Sequence, residues 1–296
     1  MRRATPGLGR YRSSLAIRMG LLGVAVLAMA ALWGSSTSSA RSRATATAAA
    51  AIKVPSGALL TPGTLLFCSD LTYPPEEFIQ NGQQVGAEVQ IGHALAAVLG
   101  LKGVFDQTGF IAIIPALNGK KCDAILSGMT ITAERAKAVT FIPYVTAGQS
   151  IMIPASSKGK ITGFASLPGK LVGVEVGTTN LAYLRAQNQI FAKQGKAQMK
   201  LILFPTDGDA AEALRTNKVD AYYSDTPPVD YYVKLSHGSI LVAGPQVEPA
   251  PWGIAVRKDN PQLASAIQKG VNALYADGQM KAILSKWDLT STLLKK

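Results

Sequence analysis

Arg135 stands three residues after Thr132 (TITAER), the spacing of a helix N-cap and the third helical position. A cation in a first helical turn opposes the helix dipole by roughly 0.3–1 kcal/mol, so something negative should compensate it. Neighbouring Glu134 could do this as a solvated pair, and a bound carboxylate gripped bidentately would do it better. Gly177-Thr178-Thr179-Asn180 offers anion chemistry of another kind. Free backbone N–H groups and two hydroxyls at a strand-to-helix junction bind anions, although plain capping needs only one of the two threonines. Asp70 and Asp225 are carboxylates at the ends of expected strands, where ligands of open α/β sheets collect. Between Asp70 and two prolines sits Tyr73 (DLTYPPEEF), whose ring is either a stacking platform or a cover for the core. Acid–base catalysis has only Glu175 and Asp70 to draw on, and neither has a partner motif. The chain has no G-x-S-x-G, no metal-ligand spacing and no phosphate loop, and His93 stands alone in an expected helix.

The elements that must position these groups are written twice. The chain reads ALNGKKCDAILSGMT from Ala116 and ALRTNKVDAYYSDTP from Ala213. Both copies run Ala-Leu, three residues, Lys, one residue, Asp-Ala, two residues, Ser: the end of a helix, a polar turn and the start of a strand. K-x-D-A alone is ordinary helix-turn-strand punctuation. Two copies in register through the Ser point instead to two lobes facing one cleft. After the Ser the copies part, into Gly128-Met129-Thr130 and Asp225-Thr226-Pro227. Further strands are expected at 64–69, 103–106, 124–129, 145–153, 170–176 and 201–204, with a proline-rich return crossing at 244–256. Helices are expected from 88 to 99, with Ile91, Leu95 and Val98 on one face, through 113–117, after Asn260-Pro261 and after Gly278.

The first 18 residues carry Arg2, Arg3, Arg10, Arg12 and Arg18 and no acid, and residues 19–33 (MGLLGVAVLAMAALW) are unbroken apolar. Followed by SSTSSA, they read as a secretory signal over 1–40, cut after Ala40, or as an uncleaved anchor. Residues 41–61 are expected to be a flexible linker. The leader inflates the formal charge of +12; without its five Arg, 25 Lys and Arg face 18 Asp and Glu. No basic run with interleaved aromatics occurs, which excludes nucleic acid as an expected partner. Two cysteines, Cys68 and Cys122, in an exported chain are either bridged or two free buried thiols.

The blocks SDLTYPPEEF, the helix after Gly86, IIPALNGKKCDAILSGMTITAERAKAVTF, KLVGVEVGTTN, KVDAYYSD and ADGQMKAILSKW resemble, in order and spacing over about 62–290, the extracellular solute-binding proteins of ABC transporters. The resemblance is to the family that binds polar amino acids, solute-binding protein family 3. It implies an α/β fold of the periplasmic-binding-protein type II, with lobe 1 at 62–148 and 250–296, lobe 2 at 149–249, and two crossover strands between them. It implies a monomer outside the cytoplasm, periplasmic or extracellular, that delivers a free amino acid to a membrane permease and needs no cofactor or metal. Carried over, Arg135 pairs with the ligand α-carboxylate, helped by Thr130, Thr178 and Thr179; Asp225 and the Gly128 carbonyl take the α-ammonium. Asp70 meets the side-chain end, favouring a basic or amide group, and Tyr73 and Phe110 sandwich the aliphatic part. Glu76 stands where the family usually has an aromatic, and Ala87 and Gln90 also depart from its pattern. The competing expectation is an enzyme on the same scaffold, a cyclohexadienyl or arogenate dehydratase; the residues favour no catalysis.

Overall fold

The apolar run TLLFCS forms β1 (Thr64–Ser69), buried along both faces as a central parallel strand must be. Residues 52–55 and 57–294 are described in a computed structural model of the chain, and the expected leader lies outside the described residues. After β1 come a small antiparallel sheet, β2 (Thr72–Tyr73), β3 (Glu77–Gln80) and β4 (Gln83–Val85), then α1 (Ala87–Val98), β5 (Lys102–Gln107), α2 (Ile113–Asn118) and β6 (Ala124–Ile125). A single turn, α3 (Arg135–Ala138), leads into β7 (Val139–Pro154). The next group is β8 (Leu171–Glu175), α4 (Thr179–Lys193), β9 (Lys200–Phe204), α5 (Asp207–Arg215), β10 (Ala221–Asp225) and α6 (Thr226–Leu235). The long β11 (Ile240–Arg257) returns, and α7 (Pro261–Ala276) and α8 (Gln279–Lys286) close the chain. Asn260 caps α7 by accepting the Leu263 N–H at 3.2 Å, with Pro261 in the first helical position.

One eight-stranded sheet runs β5-β1-β6-β11-β7-β10-β8-β9. Its two ends are parallel triplets and its middle is the antiparallel pair β7 and β11. β11 meets the first triplet only at Ala255 and Val256, and β7 meets the second only from Gln149 to Met152. Between those points the two crossing strands have only each other within this sheet. Their register slips between Ala243 and Val247, between Val247 and Ala250, and between Trp252 and Gly253. A two-stranded ribbon with bulges bends more readily than a full sheet. The apolar interior divides accordingly. In the first half Leu65, Phe67, Ile91, Leu95, Trp252 and Ile267 pack under α1, α7 and α8, with a second cluster beneath α2. In the second half one cluster lies under α4 and another under α5 and α6.

Four expectations need correcting in detail. The strand expected at 124–129 stops as a ladder at Ile125, because the chain turns away and Gly128 takes φ 43. The helical turn at Arg135 begins later than Thr132 implies, yet the Thr132 hydroxyl still accepts the Arg135 N–H at 3.1 Å. The strand expected to start at 145 is the far part of β7, which enters at Val139 because it traverses both halves. The expected linker is not free throughout: Ile52, Val54 and Leu59 pack on the first core, Ala58 is buried, and Leu60 N–H bonds the Asp123 carboxylate at 2.8 Å.

Candidate functional site

Each copy of the repeated pattern makes the same junction. Lys120 and Asn217 take left-handed φ values of 57 and 55, ending α2 and α5. The following lysine N–H groups reach back to Ala116 O at 3.0 Å and Ala213 O at 2.8 Å. The aspartates then clip onto the neighbouring strand at two points. Asp123 N–H bonds Leu66 O at 2.8 Å and its carboxylate accepts the Leu66 N–H at 3.0 Å. Asp220 N–H bonds Leu171 O at 2.8 Å and its carboxylate accepts the Leu171 N–H at 2.8 Å. The last shared residue aims a hydroxyl at a buried acid: Ser127 to Glu77 at 2.9 Å, Ser224 to Asp207 at 2.7 Å.

Beyond the serines the chain lines a narrow cavity at the carboxyl ends of β1, β6, β8 and β10. All nine expected residues border it: Asp70, Tyr73, Phe110, Gly128, Thr130, Arg135, Thr178, Thr179 and Asp225. So do Thr72, Glu77, Ser127, Glu175 and Asn180, which sequence reasoning had not singled out as contacts. Ser127 and Asn180 carried a signal in the end of the repeat and the Gly-Thr-Thr-Asn junction. Thr72 and Glu77 carried none. Glu76, whose departure from the family pattern was noted, is buried but does not border the cavity.

The first half contributes the cation. Arg135 Nη1 donates to Thr130 O at 2.9 Å, its Nη2 to Gly177 O in the other half at 3.1 Å, and its guanidinium lies 5.2 Å from the Phe110 ring centre. Two of its five N–H donors are used this way, and three remain. Asp70 is held by Thr72 Oγ1 at 2.8 Å, Gln107 Nε2 at 3.2 Å and Phe110 N–H at 2.9 Å. Gly128 must be glycine: besides its positive φ, an added Cβ would lie 2.8 Å from the Tyr73 ring. Its N–H bonds both oxygens of Glu88, at 3.0 and 3.1 Å, and Tyr144 OH donates to the same carboxylate.

The second half contributes the facing carboxylate. Asp225 accepts Asn180 Nδ2 at 3.0 Å and, across the cavity, Tyr73 OH at 2.6 Å. Tyr73 is therefore more than the apolar wall expected of it. Thr178 is the cap of α4, accepting the Leu181 N–H at 3.2 Å and donating to Glu175 O at 2.9 Å, so its hydroxyl is committed locally. Thr179 Oγ1 instead meets Thr130 Oγ1 at 3.3 Å and Gln149 Nε2 at 3.2 Å. Cys68 and Cys122 are joined as a disulfide behind β1, with Cα atoms 5.6 Å apart.

Burial dominates the electrostatics. It pushes the Asp225 carboxyl up to about 6, against the lowering effect of Tyr73, Asn180 and Arg135. Glu88 rises to about 7 by burial, despite Tyr144 and Gly128, and Asp207 to about 7 despite Tyr222 and Ser224. Burial, then Glu88, raises Glu76 and Glu77 well above the usual carboxylate range. Arg135 is lowered by burial while Asp225 pulls it up, which marks the two as facing charges. Among the described residues no group of three or more His, Cys, Asp or Glu is arranged to hold a metal ion.

Two α/β halves, two crossing strands and a polar cavity lined from both sides define a binding protein of the periplasmic type II fold. The family description "Bacterial extracellular solute-binding proteins, family 3" matches residues 65–290, and the chain belongs to that family. It is 31% identical over 221 residues to ABC transporter arginine-binding protein 1 of Escherichia coli (strain K12), covering 73% of this chain and 87% of that protein. Among solved structures, an ancestral arginine-binding protein bound to arginine superposes with a TM-score of 0.70 at 35% identity, covering 76% of this chain and 98% of that one. The ancestral amino acid-binding protein AncCDT-1, a precursor of cyclohexadienyl dehydratase, follows with a TM-score of 0.69 at 34% identity, covering 76% and 95%.

Proposed function

We propose that the chain binds a free polar α-amino acid outside the cytoplasm, between its two halves, and delivers it to the permease of an ABC transporter. The observation that carries this reading is that one cavity receives the Arg135 guanidinium from the first half and the Asp225 carboxylate from the second. A zwitterion fits such a pair: α-carboxylate on Arg135 beside Thr130 and Thr179, α-ammonium on Asp225 and the Gly128 carbonyl. Micromolar affinity requires about 8 kcal/mol, and charged hydrogen bonds contribute roughly 1.5–3 kcal/mol each. Neither half alone holds enough of them, so the ligand favours the closed arrangement over an open one. The lobes are 62–148 with 250–296 and 149–249, and the bulged ribbon of β7 and β11 is the hinge. The leader is the export signal, and Asp70 turns the choice of side chain toward basic or amide groups.

The role is binding without turnover. The relatives support it, since even the dehydratase precursor is described as amino acid-binding. Calorimetry tests the reading: Arg135→Ala and Asp225→Ala should each weaken amino-acid binding by at least about 100-fold, the loss expected when a charged pair is broken. Retained affinity in either variant refutes the clamp, and product formed from arogenate by purified protein replaces binding with catalysis.

A further inference from the structure

The sheet register relates two carboxyls that the linear sequence does not. Phe67 pairs with Ala124 and Val172 pairs with Ala221, the same alanine of each repeat copy. Counting three residues on from Phe67 gives Asp70, and from Val172 gives Glu175. The two acids are therefore counterparts, presented by corresponding strand ends of opposite halves to one cavity. They differ in how they are satisfied. Asp70 accepts three hydrogen bonds of the four its oxygens can take, whereas Glu175, only 6% exposed, has an Oε1 with no partner among the described residues. Four acids line the cavity, Asp70, Glu77, Glu175 and Asp225, against Arg135 as the one base. Asp225 faces Arg135, and Glu77, with one oxygen bonded by Ser127 and its Oε2 also without a partner among the described residues, sits beside Glu88, which leaves the Asp70 and Glu175 end without a cation.

We propose that Glu175 is a specificity-determining residue which, with Asp70 opposite, receives the distal cation of a basic amino acid such as arginine. The inference rests on the amino-acid reading above and names the class of its ligand. Burial, then Asp207, Asp70 and Asp225, and last a hydrogen bond to Asp70, hold the Glu175 carboxyl up to about 10, so when no cation is near it carries a proton that it shares with Asp70. A guanidinium arriving between the two carboxyls favours the ionised form. The Glu175 O–H bond breaks, the proton passes to buffer and the carboxylate remains, so cation binding tightens as pH rises through neutrality.

Titration calorimetry of the purified chain with arginine and with citrulline, in two buffers of different ionisation enthalpy near neutral pH, tests this. Citrulline keeps the shape of arginine without its charge. Arginine should bind at least about 10-fold tighter, the factor for one charge-assisted hydrogen bond, and should release close to one proton. Glu175→Gln should abolish the release and bring the two ligands within about 3-fold while citrulline binding persists. Equal binding of both ligands, or arginine binding without proton release, overturns the subsite and leaves the amino-acid clamp standing. These wild-type measurements decide the matter even if the variant does not fold. No binding of either ligand, with none by any other amino acid, removes the clamp as well.

Discussion

The two halves repeat one junction but brace it differently. In the first, the strand beside the repeat carries Cys68, bonded to Cys122 one residue before the clipping aspartate. In the second, the register puts Gly173 where Cys68 stands, and Val219 where Cys122 stands. Gly173 is packed so closely that an added Cβ would lie 3.3 Å from Val219 Cγ2. One half uses a covalent link and the other apolar contact at the same point of the fold. Their clips differ too: Asp123 is fully buried and holds Leu60 and Leu66, while Asp220 holds only Leu171. The scaffold is thus duplicated to within a hydrogen bond as far as the serine, and binding chemistry begins where the copies stop agreeing.

That comparison can be broken in order of expected effect. Replacing both Cys68 and Cys122 with serine opens a loop of 54 residues and should lower stability by about 4 kcal/mol in chemical denaturation, with amino-acid affinity unchanged. A smaller loss would mean that packing alone suffices there, as it does around Gly173. Next, Asp123→Ala should cost about 3 kcal/mol and Asp220→Ala about 1 kcal/mol, because the first strands two N–H groups and the second one. Equal losses would show that the clips are equivalent despite their different partners.

The last effect is one of pH and concerns two buried acids, Glu88 bonded by Gly128 N–H and Asp207 bonded by Ser224, both raised to about 7. A carboxyl raised in the folded state binds its proton there and releases it in the unfolded chain. Its stability contribution is therefore whole below the unfolded pKa of about 4 and is lost as pH climbs through the folded value. Without ligand, the melting temperature should fall by several °C between about pH 5 and about pH 8, at roughly 2–4 °C per kcal/mol. Differential scanning calorimetry reads this directly. The fall should shrink in Asp207→Asn if the second half shares in it.

Most of the elements were legible from periodicity and capping. Thr64–Ser69 matches residue for residue, and the α7 start at Pro261 follows from Asn260-Pro261. The expected ladder to 129 failed because an apolar run cannot say where a neighbouring strand ends; only two residues of it find a partner. The nine expected contacts border one cavity, since motif order carries the loops that follow each strand. Glu175 was noticed only as a candidate acid or base, and Glu77 not at all, because an acid in sequence is read as exposed until its surroundings are known.

By itself the sequence determined the duplicated junction, the parallel strands around it and the residue types facing any ligand, because turn chemistry and apolar periodicity act over a few neighbours. Only the tertiary structure decided that Tyr73 reaches Asp225 from the other half, that Asp70 and Glu175 are counterparts, and which of them is left with an unpartnered oxygen. Those relations join residues 105 to 152 positions apart, through strand register and burial that no local pattern encodes.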